Sequence, residues 1–532
     1  MERRKLTKED IDKVRNIEGF PIAKDEDIIA LSDAPYYTAC PNPFIEEFIK
    51  EHGTPYDEAT DDYQRKPFAS DVSEGKNDPI YNAHSYHTKV PYKAIMRYIF
   101  HYTKPGDIVF DGFCGTGMTG VAAQMCEQER YSSQSLPNIP DNSIDYIFTD
   151  PPFGDNLMYS ELSFIWEAWL QVLENNQDEA IMSSVQGKGL LEYQQLMTDC
   201  FSTYYRVLKP NRWITVEFHN SKNAVWNAIQ ESLNRAGFVI ADVRTLDKQQ
   251  GSFKQVNNTS AVKQDLVISA YKPKLSLSRR ILEKAGQEET AWDFVNQHLS
   301  NLPVVVKQAG KIEVVAERQG YLLFDRMVAY HIMSGIPVPI DAADFYKGLD
   351  ERYLQRDGMY FLTEQVNEYD TARIVDDIEP IRFSLIVSNE KTAIAWLYQQ
   401  LNTPQTYAEI QPKFMQEIKT VDKFEAMPEL AVLLEENFLQ DDKGKWYVPD
   451  ITKEADVAKL REKNLLKEFE GYLVTKGKLK LFRAEAVRVG FAKLWKDKNY
   501  KLIVETAERL PEQIIQEDDK LLMYYDISLS RV

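Results

Sequence analysis

Cysteine is scarce in this chain: there are four in 532 residues, and none of Cys40, Cys114, Cys126 and Cys200 forms a C-x-x-C pair. That spacing excludes the common zinc sites and a disulfide framework, so the thiols are expected to be reduced. Long apolar runs are lacking as well, since no stretch approaches the ~18 uninterrupted apolar residues of a membrane helix. The first residues, Met1 to Leu6, are charged and contain no apolar signal-like segment. A soluble, cytoplasmic protein without a membrane partner is the expectation. An excess of basic residues is also absent, with 63 Lys and Arg against 82 Asp and Glu, a net charge of −19. Phosphate contacts supply most non-specific nucleic-acid affinity, so such a chain would have to gather its Lys and Arg on one face to hold a duplex. The acidic runs Asp57-Glu58, Asp61-Asp62, Asp376-Asp377 and Glu517-Asp518-Asp519 read as solvated surface.

What the chain does have is length for two or three domains and an apolar content of 43%, enough for real cores. Residues 1–80 are polar and turn-rich and read as an N-terminal arm or lid. From Pro91 a pattern of alternating helices and strands begins. Tyr92 to Tyr102 has helical apolar spacing, Asp107 to Phe110 is a short buried strand, and Met118 to Cys126 a small-residue helix. Ile144 to Phe148 is a second apolar run. Helices are then expected over Leu157–Leu173, Leu190–Val207 and Ala224–Ala236, and strands over Trp213–Phe218, Phe238–Val243 and Asp265–Tyr271. Strands alternating with helices imply an α/β fold, a doubly wound and mainly parallel sheet covered on both faces. This catalytic domain is expected over 81–274. Residues 275–532 read as a mostly helical recognition or partner-docking region, with helices at Leu277–Glu288, Thr290–Leu299, Lys391–Leu401, Ile451–Leu473 and Ala484–Asp497. Short strand-like pieces at Ile312–Val315 and Leu479–Phe482 interrupt them.

Two motifs carry the chemistry. Asp150-Pro151-Pro152-Phe153 follows the apolar run directly and offers a carboxylate, carbonyls that the prolines leave unobstructed, and an aromatic ring. Upstream, Asp111-Gly112-Phe113-Cys114-Gly115-Thr116-Gly117 ends the first strand, and its glycines allow a tight turn and close approach to a ligand at a helix N-terminus. A glycine loop alone is a weak signal. Paired with a second strand-end motif at the carboxyl edge of one sheet, where such folds bind ligands, it becomes informative.

These residues resemble the S-adenosylmethionine-dependent DNA methyltransferases that methylate amino nitrogens to give N6-methyladenine or N4-methylcytosine. The resemblance covers about residues 84–273. His84 to Pro91 resembles the segment that helps hold the methionine end of the cofactor, which implicates His87 and Thr88. Asp111, Phe113, Cys114, Gly115, Thr116 and Gly117 resemble the cofactor loop, and Ser133 to Pro137, with Gln134, the strand exit beside the cofactor adenine. Asp150, Pro151, Pro152 and Phe153 resemble the catalytic tetrapeptide, and Val207-Leu208-Lys209-Pro210 a later part of the core. The resemblance implies a class I, Rossmann-like methyltransferase that uses S-adenosyl-L-methionine, needs no metal and acts on DNA. Asp in the first catalytic position leans towards adenine N6. The expected setting is restriction-modification or another phage-defence system, with other subunits as candidate partners, and the large helical C-terminal region favours DNA as the substrate. RNA or protein-glutamine methylation and a decayed, non-catalytic scaffold stay open.

Two features depart from the pattern. Only 150 − 117 = 33 positions separate Gly117 from Asp150, too few for two further strands with their helices, since one βαβ unit takes about 30 residues. An internal segment near 126–132 is therefore expected to be missing, along with the acidic residue that would hold the cofactor ribose. Second, Ser32-Asp33-Ala34-Pro35-Tyr36-Tyr37 resembles the catalytic tetrapeptide with Ala for the first Pro; it reads as a permuted site, an aromatic pair closing over the pocket, or a plain turn. His219-Asn220 at a strand end and the loop Gln249 to Gln255 are further candidates for substrate contact.

Overall fold

The computed structural model describes residues 4–531, leaving aside 18, 35, 36, 38, 77, 84–88, 114, 127, 128, 132–138, 156, 157, 178, 220, 221, 248–263, 309, 310, 376–389, 402, 418–427, 442, 449, 450, 475, 476, 480, 481, 512–514, 516–518 and 530. The chain divides into two compact units: residues 1–220, 224–253 and 263–383 form one, and 221–223, 254–262 and 384–532 the other.

The first unit is built on a seven-stranded sheet. Its strands are β1 (Val72–Ser73), β2 (Ile108–Phe110), β3 (Glu129–Tyr131), β4 (Ile144–Thr149), β5 (Leu208–Phe218), β6 (Val239–Asp247) and β7 (Gln264–Tyr271), in the order β1-β6-β7-β5-β4-β2-β3. Strands β3, β2, β4 and β5 run parallel, as do β1 and β6, while β7 is antiparallel to both neighbours. Residues of β4 and β5 are buried throughout, as expected of strands covered on both faces. Helices α1 (Tyr92–Tyr102), α2 (Met118–Met125), α3 (Tyr159–Leu170), α4 (Leu190–Val207) and α5 (Asn223–Arg235) join them. Tyr98, Tyr102 and Ala122 pack with Val109, Tyr146, Phe148 and Trp213 in one core cluster. Ring contacts of Phe110 with Tyr204, and of Phe218 with Trp226, belong to helices α4 and α5. The sheet is therefore the doubly wound, Rossmann-like one expected of a class I methyltransferase.

Two expectations change. The interval between Gly117 and Asp150 does hold one strand besides β4, namely β3, because α2 is only eight residues long. No strand lies beyond β3 on that edge among the described residues, and the seventh strand, β1, comes instead from residues 72–73 at the opposite edge. Of the segment near 126–132 where residues were expected to be missing, Cys126 caps α2 and 129–131 form β3, while 127, 128 and 132 lie outside the described residues. The expected helix over Leu157–Leu173 is shorter: Gln171 takes a left-handed conformation (φ 61°), ends α3, and turns Val172–Leu173 into a strand antiparallel to Ile22–Ala23.

Residues 1–80 are more ordered than a polar arm. Helices Lys8–Val14, Asp25–Leu31 and Ile45–His52 gather a small core of Leu6, Ile11, Ile28, Tyr37, Cys40 and Phe44. Residues 61–73 then strap onto the sheet. Arg212 of β5 grips Asp61 with both terminal nitrogens at 2.9 and 2.8 Å and lies 3.9 Å from the Tyr63 ring centroid. The Tyr63 hydroxyl donates to the Tyr102 carbonyl at 2.8 Å.

Beyond the last strand, helices Leu275–Glu283, Glu289–Asn301, Gly320–Met333 and Ala342–Arg352 contribute Leu277, Ile281, Phe294 and Leu323 to the same core cluster as the sheet. Fully buried Arg318 ties the end of the helix Glu289–Asn301 to the strand Met359–Phe361 by donating to the carbonyls of Leu299, Leu302, Pro303 and Tyr360. The second unit contains helices Glu390–Gln400, Leu430–Asn437, Ile451–Val474 and Ala484–Lys496, and Arg483 bonds Glu390, Glu436 and Glu468 there. The strand-like piece at Ile312–Val315 forms as Lys311–Glu313, paired with Val306–Gln308, whereas Lys480 and Leu481 of Leu479–Phe482 lie outside the described residues.

At the start of β5, buried Lys209 pairs with buried Asp145 of β4, whose other oxygen accepts from the Ile108 N–H at 2.9 Å. Three strands thus meet at one ion pair. Lys209→Met would strand the Asp145 carboxylate in the core and is expected to cost about 3–5 kcal/mol in denaturant unfolding. A loss below about 1 kcal/mol would show that the pair is not holding the strands.

Candidate functional site

Both motifs emerge at the carboxyl ends of neighbouring parallel strands, the glycine loop after β2 and the Asp-Pro-Pro-Phe turn after β4. They are joined directly: the Thr149 hydroxyl, at the end of β4, donates to Asp111 Oδ1 at 3.1 Å. Asp111 also accepts from the Phe113 N–H at 3.0 Å and from the Thr119 hydroxyl. Burial pushes its carboxyl up to about 6; the three hydrogen bonds pull the other way, and the neighbouring Asp150 charge adds to the rise.

The glycine loop has the shape of a cradle. A Cβ on Gly112 would lie 2.1 Å from the Tyr204 hydroxyl, so only glycine fits beneath α4. Gly115 and Gly117 have φ values of 45° and 75°, which side-chain-bearing residues rarely adopt, and Gly117 caps the start of α2. The Thr116 hydroxyl is buried without a hydrogen-bond partner among the described residues. A close-approach glycine, an αL cap exposing helix N–H groups and an unsatisfied hydroxyl suit a bound carboxylate and amino group, so these residues fit the cofactor that the resemblance implies. Residues Asp111, Phe113, Gly115, Thr116 and Gly117 are brought together here. Cys114, His87, Thr88 and Gln134 lie outside the described residues.

At the Asp-Pro-Pro-Phe turn Asp150 is half-buried, while Pro151, Pro152 and Phe153 are buried. The Tyr193 hydroxyl donates to the Pro152 carbonyl at 2.6 Å. No hydrogen bond among the described residues uses the Pro151 carbonyl. Phe153 is 6% exposed and stands edge-on to Phe218 at 5.5 Å, so its ring forms part of the wall and does not present an open face. His219 sits 6.1 Å from the Phe153 ring, and its Nδ1 pairs with Asp265. Its partner is thus within the protein, while Asn220 and the loop Gln249 to Gln255 lie outside the described residues.

The second tetrapeptide packs into the N-terminal core. Asp33 follows the helix Asp25–Leu31, and Tyr37, 1% exposed, is buried in the N-terminal core, where its hydroxyl donates to the Arg4 carbonyl at 2.6 Å. Its ring is edge-on to Phe44 at 5.2 Å, which is how a packed structural aromatic sits. Pro35 and Tyr36 lie outside the described residues.

Three residues that contact the two loops carry no motif in the sequence: Thr149, Tyr193 and Tyr204. Their signal was present, because Tyr193, Met197, Phe201 and Tyr204 form one buried stripe of α4 at helical spacing. Periodicity marks such a stripe as core but does not reveal that its two ends reach two different loops.

The raised carboxyl of Asp111 sets a pH dependence. Between pH ~4 and about 6 the native state keeps a proton that the unfolded chain has released, so stability falls as pH rises through that window, by about 3 kcal/mol, and levels off above it. Asp111→Asn removes that titration and is expected to flatten the slope in denaturant unfolding at pH 4, 5 and 7. Parallel profiles for the two proteins would exclude a raised Asp111.

Residues 19–132 match the family described as DNA methylase, N6_N4_Mtase. The matched segment contains the glycine loop and Asp33 and ends before Asp150. No curated protein matches. Among solved structures, similarity extends to a geranyl diphosphate methyltransferase in complex with SAM (9% identity, 34% of this chain and 84% of that one, TM-score 0.20). TrmN from Thermus thermophilus is another (14% identity, 34% and 48%, TM-score 0.20). A third is Haemonchus contortus phosphoethanolamine N-methyltransferase 2 in complex with S-adenosyl-L-methionine (12%, 34% and 52%, TM-score 0.21). The assignment of the fold rests on the strand order, not on these alignments. The strand order is that of a doubly wound, Rossmann-like sheet, and over residues 19–132, the glycine cradle included, the chain is similar to the family described as DNA methylase, N6_N4_Mtase.

Proposed function

We propose that the protein is a site-specific DNA methyltransferase that methylates an exocyclic amine, adenine N6 in preference to cytosine N4, within restriction-modification or another phage-defence system. One observation carries the reading: the glycine cradle and the Asp150 turn share one sheet edge and are linked through Thr149 and Asp111. The family match supports amino groups of DNA as the substrate class.

An exocyclic amine conjugated with its ring is a weak nucleophile. Asp150 would accept one of its protons and the Pro151 carbonyl the other, returning electron density to nitrogen. Tyr193 keeps the Pro152 carbonyl occupied and so fixes which carbonyl faces the amine. When bound, S-adenosylmethionine supplies the electrophilic methyl group. The target base must leave its stack to reach this edge, and Phe153 meets it first by its ring edge, with rotation away from Phe218 needed for full stacking. Residues 275–532 are the candidates for target recognition or for docking other subunits, and 1–80 for an accessory arm.

The match over residues 19–132 includes Asp33 and so favours a second reading, in which the Asp33 segment is the catalytic one. Burial of Tyr37 weighs against it. Two substitutions separate the readings. Asp150→Ala is expected to lower methyl transfer at least 100-fold with S-adenosylmethionine affinity within about threefold of the parent, while Asp33→Ala keeps activity within about twofold; the reverse outcome overturns the assignment.

Substrate class is tested by methylation-sensitive sequencing of host DNA with and without the gene. Loss of N6-methyladenine from a single motif is the expected result, and an unchanged methylome leaves RNA or protein-glutamine methylation. Absence of S-adenosylmethionine binding in calorimetry would favour a non-catalytic scaffold.

A further inference from the structure

Helix α3 begins six residues after the catalytic Phe153, and its amphipathicity is inverted. Phe164, Ile165, Trp166, Trp169 and Leu170 are 49% to 83% exposed. The arc turned towards the protein carries Ser160, Ser163 and Glu167 instead, all half-buried. Ser160 bonds Glu179 through its hydroxyl at 2.7 Å, and Glu167 accepts from the Glu174 N–H at 3.1 Å. A water-facing helix normally arranges these classes the other way round. Taking ~150–250 Å² for a whole aromatic side chain, the five exposed residues present on the order of 700 Å² of apolar surface. That exceeds the largest patch of an ordinary monomer, roughly 300–600 Å², and matches the ~800 Å² that each partner contributes to a stable interface.

We infer that the outer face of α3 is the contact surface of a homodimer, covered by the same helix of a second copy. The area by itself meets what a stable dimer needs, and a two-fold contact lets one apolar stripe cover its twin. Charge points away from nucleic acid as the occupant. Residues 154–180 contain Asp155, Glu161, Glu167, Glu174, Asp178 and Glu179 and no Lys or Arg, so this segment repels phosphate. Tryptophan and phenylalanine are also the residues most enriched at the buried centres of protein interfaces.

The consequence for the proposed reaction is that the interface adjoins each catalytic turn. Sedimentation velocity of the full chain at micromolar concentration should give twice the 61.6 kDa chain mass. Trp166→Glu combined with Trp169→Glu should weaken the dimer at least tenfold, and Trp169→Arg alone, at a side chain too exposed to disturb the core, should weaken it measurably. Circular dichroism and S-adenosylmethionine affinity like the parent's would show that both variants are folded. A parent that sediments as a monomer overturns the inference, as does a dimer indifferent to both variants. Variants that keep the parent's mass but lose DNA binding would assign the face to nucleic acid and overturn it equally.

Discussion

The buried stripe of α4, with a tyrosine at each end, is the constraint on which the candidate site depends. Tyr193 holds the Asp-Pro-Pro-Phe turn by the Pro152 carbonyl, and Tyr204 fills the space above Gly112, where no side chain could fit. Eleven residues of helix separate the two, about 16 Å at 1.5 Å per residue. A helix of that length does not stretch, so the spacing between the two loops is set by one rigid element rather than by the loops themselves. The bond from Thr149 to Asp111 then fixes them laterally. Chemistry between two bound molecules requires this kind of fixed separation, because small misplacements in approach are costly.

Around that brace the sheet is held from its amino end as well. The Lys209–Asp145 pair joins β5 to β4 and β2, and Arg212 draws the strap of residues 61–73 against β5. Tyr102 stacks on Tyr146 at 5.0 Å and accepts from the Phe68 N–H at 2.8 Å, so α1, the strap and the sheet share one buried aromatic column. The first eighty residues are thus partly structural: their last portion completes the sheet, with β1 as its edge strand.

Much of this was legible from residue order. The 3.6-residue apolar period marked α4 with its observed bounds, and glycine and proline content located both loops, because backbone freedom and missing N–H donors are properties of single residues. Other features depend on partners distant in the chain. The two-residue β1 has no pattern of its own and exists only through β6, and the burial of Tyr37 depends on Leu6, Ile11 and Phe44 folding beneath it. The end of α3 at Gln171 was missed because glutamine seldom adopts a left-handed conformation. The interval after Gly117 is too short for two further strands with their helices, and it holds one, β3, for which three residues suffice because an edge strand needs one neighbour only.

The occupied carbonyl of Pro152 has a consequence for stoichiometry. With Tyr193 on that oxygen, the proposed mechanism draws on two acceptors, the Asp150 carboxylate and the Pro151 carbonyl, for a nitrogen that brings two protons. A primary amine satisfies both. Once a methyl group replaces one proton, the nitrogen can satisfy only one of them, and the other acceptor faces a methyl group at a buried edge. On the proposed mechanism the turn counts protons and releases a monomethylated amine; a dimethylated product would contradict this geometry.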